Sequence, residues 1–451
     1  MTCPVCRREV AAAEELEARG LEPEVVELVA ANAPGWRLEQ GLCADCARLF
    51  EEAHREARAR PVFVRSGWRI LPTPLRLDAD RAWTGRGVTI AFLDAGFHAH
   101  PDLVEPRNRI LHYADVNNPR TRLEDLERPE VSSWHGMMTS VVACGNGRLS
   151  EGFYRGLAPD ADVVLVKVGS ARRIVHEDLQ KGFDWVVRNR RRFGIRIVNV
   201  SCGGDFEASY LVDGLSQAAE RATRSGLLVC AAAGNAGRRP DHPVLPPASA
   251  PSVLTVGGLD DQNRLDPAGF DLYPGSWGPT VDGLQKPEVL APGIWVAAPI
   301  LPGTPTAEQA RLYATLAGTA DRELRAAIAA RPGVDPDLDQ ALALAPPLVR
   351  RLVDSKLRDG NIISGAYKHV DGTSFASPIV ASLAAQMLEA SPELTPAQLK
   401  CALIRTAIRL PRVEVDRQGW GVVQARAAVA AARAAGRLEG ALPRAGRPPT
   451  V

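Results

Sequence analysis

Val88-Thr-Ile-Ala-Phe-Leu-Asp94-Ala-Gly96 is an apolar, β-branched run that ends in a carboxylate and a glycine turn. It lacks the alternation of a half-solvated strand, so it reads as a strand covered on both faces. The pattern recurs outward from it. Strands are expected at Val88–Leu93, Val163–Val168, Ile195–Val200, Leu227–Ala232 and Val253–Val256. Helices are expected between them at Gly136–Cys144, His176–Phe193 and Leu211–Ser225. Apolar strands alternating with helices predict an α/β fold, a mostly parallel central sheet with helices on both faces.

The segment from Pro302 to Gly360 departs from this pattern. It is rich in Ala, Leu, Arg and Asp, and it predicts two or three short helices broken at Gly318, Arg331-Pro332-Gly333 and Pro346-Pro347. The α/β pattern resumes with a glycine turn and a long apolar helix, Ser374–Ala390. Helices at Pro396–Thr406 and Val422–Ala434 come after it. The organisation expected is a helical module over 1–60, a linker over 61–82, and a main domain over 83–435 that carries a helical insertion at 302–360. A flexible tail is expected over 436–451.

The 451 residues include 54 basic and 53 acidic side chains, a net charge of +1. This balance offers no global attraction to nucleic acid or to an anionic membrane. With 45% hydrophobic residues the chain can bury a sizeable core. No apolar run approaches the ~18 residues of a membrane span. The start, Met1-Thr-Cys-Pro-Val-Cys-Arg-Arg-Glu, lacks the pattern of a secretory signal, which points to a cytoplasmic setting.

Of the eight cysteines, Cys144, Cys202, Cys230 and Cys401 stand alone and read as reduced thiols. The other four form two CxxC pairs, Cys3-Pro-Val-Cys6 and Cys43-Ala-Asp-Cys46. Each pair can give two thiolates to one tetrahedral ion, and four thiolates suit a structural Zn²⁺. A metal-free helical pair or a redox switch is the plainer alternative.

Three further motifs carry chemistry. Asp94 sits where open α/β sheets place ligands, although alone it would read as a turn or cap residue. Ser133-Trp-His135-Gly136 puts a histidine at a helix start; alone, it would read as a satisfied core histidine. In Asp371-Gly-Thr-Ser374-Phe-Ala-Ser-Pro378, Gly372 permits a tight turn and Ser374 lies at the amide end of a helix, where negative charge is favoured.

Taken together, these motifs resemble the subtilisin-like serine proteases (subtilases), whose catalytic residues run Asp, His, Ser along the chain. Asp94-Ala-Gly, His135-Gly and Gly372-Thr-Ser374-Phe-Ala-Ser-Pro match the three family motifs. His100-Pro-Asp-Leu, Gly156-Leu-Ala-Pro-Asp-Ala and Lys286-Pro-Glu-Val-Leu-Ala-Pro-Gly293 match supporting stretches. Asn199-Val-Ser201-Cys-Gly203-Gly204 matches the edge that binds substrate backbone, and Ala232-Ala-Gly234-Asn235 matches the oxyanion motif. The chain departs from the family at Ala95, Met137-Met138 and Cys202, none of which is a reacting group.

The resemblance implies an active intracellular serine endopeptidase with a protein or peptide substrate. It assigns Ser374 as nucleophile, His135 as general base, Asp94 as its orienting carboxylate and Asn235 as oxyanion donor. Ser201, Cys202 and Gly203 would bind substrate backbone. Subtilases often bind Ca²⁺, but spacing identifies no ligand set. The alternative is a low-turnover or inactive subtilase scaffold that binds peptide or protein and is recruited through the zinc module. Zinc ribbons also bind nucleic acid, which the module's balanced charge disfavours. The module instead suits docking of a protein partner, and the insertion suits either a lid or substrate-selecting platform or an inert surface elaboration.

Overall fold

The computed structural model describes residues 2–5, 20–33, 35–48, 50–51, 70–169 and 173–441. Cys6, residues 52–60 of the expected helical module and 61–69 of the expected linker lie outside these residues.

The strands are β1 (Thr89–Asp94), β2 (Ile110–Asp115), β3 (Asp162–Lys167), β4 (Ile195–Val200), β5 (Leu228–Ala232), β6 (Leu254–Asp260), β7 (Asp271–Leu272), β8 (Val289–Pro292), β9 (Val296–Pro299) and β10 (Tyr367–Val370). The longer helices are α1 (Pro23–Asn32), α2 (Ser133–Cys144), α3 (His176–Phe193), α4 (Gly214–Arg224), α5 (Pro305–Gly318), α6 (Pro346–Asp359), α7 (Thr373–Ala390), α8 (Pro396–Thr406) and α9 (Ala425–Ala441).

The main sheet runs β2-β3-β1-β4-β5-β6, all parallel. β8 joins β6 in parallel, and β7 meets the end of β6 antiparallel. Every residue of β1 is buried, as its continuous apolar run requires. One face of the sheet packs against Leu179, Phe183 and Val186 of α3 and Leu215, Ala218 and Ala222 of α4. The other packs against Met137 and Val141 of α2, Ile379, Leu383 and Met387 of α7, and Val429 of α9. Helices on both faces leave the carboxyl ends of the strands as the open edge, where such folds place ligands.

β2 does not appear among the sequence-derived strands, because His112 and Tyr113 interrupt its apolar run. The insertion's helices are interrupted where expected, after Gly318, across Arg331-Pro332-Gly333 and before Pro346, which opens the next helix because the first helical turn needs no amide from proline. The insertion fills the connection of an antiparallel hairpin, β9 with β10, and has its own apolar core around Leu312, Leu316, Leu324, Ile328 and Val353.

α9 continues through Gly436 to Ala441, so the first residues of the expected tail are helical. A single glycine in an Ala-rich run costs only ~1 kcal/mol relative to alanine. Near the N-terminus, Val5, Val25, Val29, Leu42 and Phe50 form a small separate core around Cys3, Cys43 and Cys46, and Leu265 of the main fold packs against it.

Candidate active site

Asp94 ends β1 with its side chain only 1% exposed. Both of its carboxylate oxygens lie 2.9 Å from Nδ1 of His135, in the first turn of α2. The Ala95 amide donates to Oδ1 at 2.8 Å, and the Thr139 hydroxyl to Oδ2 at 3.4 Å. A carboxylate on Nδ1 holds the proton there and leaves Nε2 as the basic nitrogen. Burial works against the imidazolium, yet the Asp94 charge and hydrogen bond outweigh it. The His135 pKa therefore lies above the ordinary imidazole value.

Ser374 is the second residue of α7. Gly372 before it has φ 142°, a conformation natural only to glycine, and its amide donates to the Gly293 carbonyl at 2.7 Å. The Lys286–Gly293 stretch is therefore a support for this turn. It is anchored by fully buried Lys286, which bonds Glu288 at 2.6 Å and the Val253 carbonyl at 2.8 Å.

The Ser374 hydroxyl donates to the Ser201 carbonyl at 3.0 Å, and the Ser201 hydroxyl donates back to the Ser374 carbonyl at 2.7 Å. The structure thus places Ser374 beside the Ser201 edge rather than in a bond to His135. The ring of Phe375, the residue after Ser374, lies 5.8 Å from the imidazole.

Asn235 lies just beyond β5 and is exposed. Its Oδ1 accepts the Thr373 amide and hydroxyl, each at 3.0 Å. Those bonds fix the carboxamide and leave its NH₂ as the end available to a ligand. Ser201–Gly203 run on beyond β4 outside any ladder, and Gly204 is pinned to the Pro246 carbonyl at 2.7 Å. The Cys202 thiol faces the Leu93 carbonyl at 3.7 Å, and burial pushes its pKa well above the usual thiol value.

Sequence reasoning assigned no part to Thr139, Asn199, Thr373 or Ser377. Ser377 donates to Asn199 at 2.8 Å, and Asn199 donates to the Ser201 hydroxyl at 3.0 Å, a relay that holds the edge against α7. The only available signal was their position within or beside the family motifs.

Cys3, Cys43 and Cys46 are buried with their sulfurs mutually within 4.8 Å. The Cys43 amide donates to Cys3 Sγ at 3.4 Å, and Cys3 and Cys46 Sγ are 4.0 Å apart, about twice a disulfide bond. Three clustered thiols with an N–H···S bond fit a thiolate metal site. Cys6, the fourth expected ligand, lies outside the described residues. Among the described residues no second cluster of three or more His, Cys, Asp or Glu ligand atoms gathers.

A carboxylate-held imidazole beside a helix-borne serine, at the carboxyl edge of a parallel sheet, is the arrangement of a serine-nucleophile hydrolase. Residues 85–421 match the Subtilase family, and the chain belongs to that family. It is 30% identical over 362 residues to serine protease AprX of Bacillus subtilis, covering 77% of this chain and 67% of that one. It is 28% identical over 242 residues to subtilisin BL of Lederbergia lenta, covering 53% and 73% respectively. The fold is similar to that of a protease from Pseudoalteromonas arctica, with TM-score 0.53 and 22% identity over 82% of this chain and 96% of that one. The chain is a subtilisin-like serine endopeptidase whose substrates are proteins or peptides.

Proposed function

We propose that Ser374, His135, Asp94 and Asn235 perform the hydrolysis. The observation that carries this reading is His135 Nδ1 held at 2.9 Å by both Asp94 oxygens, with the ring of Phe375, next to Ser374, 5.8 Å from the imidazole. Rotation about the Ser374 Cα–Cβ bond takes its hydroxyl from the Ser201 carbonyl toward Nε2. His135 accepts the proton as Oγ attacks the substrate carbonyl. The Asn235 NH₂ and the Ser374 amide stabilise the oxyanion. The imidazolium then protonates the leaving amine, and water, deprotonated by the same nitrogen, releases the acyl group. Ser201, Cys202 and Gly203 pair with substrate backbone as an added strand.

The proposal extends to the setting. Reduced, buried Cys144 and Cys230 and the Cys3–Cys43–Cys46 cluster support a reducing, intracellular location. There the enzyme would act on few substrates. Cys3, Cys6, Cys43 and Cys46 would hold one Zn²⁺, which supplies folding energy to the module and no open coordination position. That module is proposed as a docking element for a protein partner. The insertion is proposed as a substrate-selecting platform, since a side chain at Gly303 would touch Pro129, in the loop leading to His135.

The test is Ser374→Ala together with a fluorophosphonate probe. Wild type should be labelled and should cleave peptide substrates, whereas the folded variant should do neither. Undiminished turnover by Ser374→Ala would overturn the assignment.

A further inference from the structure

Arg76 precedes the matched residues 85–421 and ends a short helical turn, Thr73–Arg76. Its side chain is fully buried. Nε and Nη2 grip Asp261 at 2.6 and 2.8 Å, at the end of β6. Nη2 also donates to the Ile294 carbonyl at 2.7 Å and Nη1 to the Trp295 carbonyl at 2.8 Å. Every nitrogen of the guanidinium is thus committed. Half of that commitment goes to one two-residue turn, Ile294-Trp295, between β8 and β9.

That turn is strained and adjoins the serine. Trp295 has φ 60°, which a bulky side chain rarely adopts and which persists only where surroundings enforce it. The Trp295 amide donates to Asp371 at 3.1 Å, and Gly293, two residues earlier, accepts the Gly372 amide at 2.7 Å. Asp371 and Gly372 lead directly into Ser374. The chain segment that delivers Arg76 is itself fastened, with the Leu71 amide donating to Asn263 at 2.7 Å.

We infer that Arg76 is a positioning residue for hydrolysis: the segment just before the matched residues clamps the Gly293–Trp295 turn and thereby sets Ser374. This inference rests on Ser374 being the nucleophile. A bidentate, planar fork suits the task, because it locks direction as well as distance. Without the clamp, Trp295 can relax from its left-handed backbone, and the Asp371–Gly372 anchor shifts with it. A displacement near 1 Å at a nucleophile costs roughly a hundredfold in rate.

The experiment compares wild type, Arg76→Ala and Arg76→Lys in the full chain, well below their melting temperatures. Arg76→Lys keeps a cation opposite buried Asp261, which guards against loss of the fold. The readouts are kcat and KM on a peptide p-nitroanilide and the rate of fluorophosphonate labelling. Both variants are expected to lose about ten- to a hundredfold in kcat and in labelling rate, with KM changed less than about threefold. Added guanidinium ion at millimolar concentration should restore part of the kcat of Arg76→Ala, because it refills the cavity. A role in stability alone predicts lowered melting temperature with full kcat and unchanged labelling in the folded fraction, and that result would overturn the inference. Failure of the Ser374 reading is distinguishable, because it appears as activity in Ser374→Ala whatever Arg76 does.

Discussion

Replacing Asn235 separates the observed hold on Thr373 from the proposed oxyanion role, which would use opposite ends of one carboxamide. Oδ1 accepts two bonds from Thr373, whereas the NH₂ is the end available to an oxyanion. Asn235→Ala removes both ends. Loss of one preorganised oxyanion donor lowers kcat by roughly 100- to 1,000-fold, about 2.7–4 kcal/mol in the barrier. Loss of two neutral hydrogen bonds costs about 1–3 kcal/mol of stability. The Thr373 hydroxyl keeps the Gly234 carbonyl as a partner, so the loss falls mainly on the buried Thr373 amide. Asn235→Asp keeps the acceptor for Thr373 and puts an oxygen where the donor stood. It should melt close to wild type yet lose at least about a hundredfold in kcat. The assay is steady-state hydrolysis of a peptide p-nitroanilide, with thermal melts of each variant. If Asn235→Asp kept kcat within threefold of wild type while folded, the oxyanion assignment would fail.

Two further outcomes are expected. Asp94 raises the His135 pKa, so activity should fall as pH drops through a value above the ordinary ~6.5, where the base becomes protonated. Asp94→Asn should move that acid limb to lower pH and reduce kcat by about 10⁴, measured as pH profiles of kcat/KM; an unmoved limb would contradict the pairing. Purified protein should carry about one zinc per chain, and chelation should release it and expose Cys3, Cys43 and Cys46 to thiol reagents. Metal-free protein whose cysteines react identically with and without chelator would remove the zinc site.

The parallel sheet was legible because its strands are uninterrupted apolar runs; β1, β4 and β5 lie within a residue of their expected bounds. β2 was not legible, since His112 and Tyr113 look like loop residues until Trp185 and Phe193 stack over the histidine. The insertion's breaks at Gly318, Arg331-Pro332-Gly333 and Pro346 were legible, because glycine and proline interrupt helical hydrogen bonding whatever packs around them. Asp94, His135, Ser374 and Asn235 were all visible as short motifs, but their supports Thr139, Asn199 and Ser377 were not. A hydroxyl's partner is set by distance across the fold, which no local pattern records.

Residue order alone determined the α/β architecture and pointed to the groups proposed to react, because buried strands and glycine turns impose strict demands on composition. Only the tertiary structure decided how those groups are held. It turned the Ser374 hydroxyl toward Ser201 and brought the Arg76 guanidinium, more than 200 positions away in the chain, to the Ile294-Trp295 turn. Such contacts join residues hundreds of positions apart, and their strength depends on angles and distances that exist only once the chain has packed.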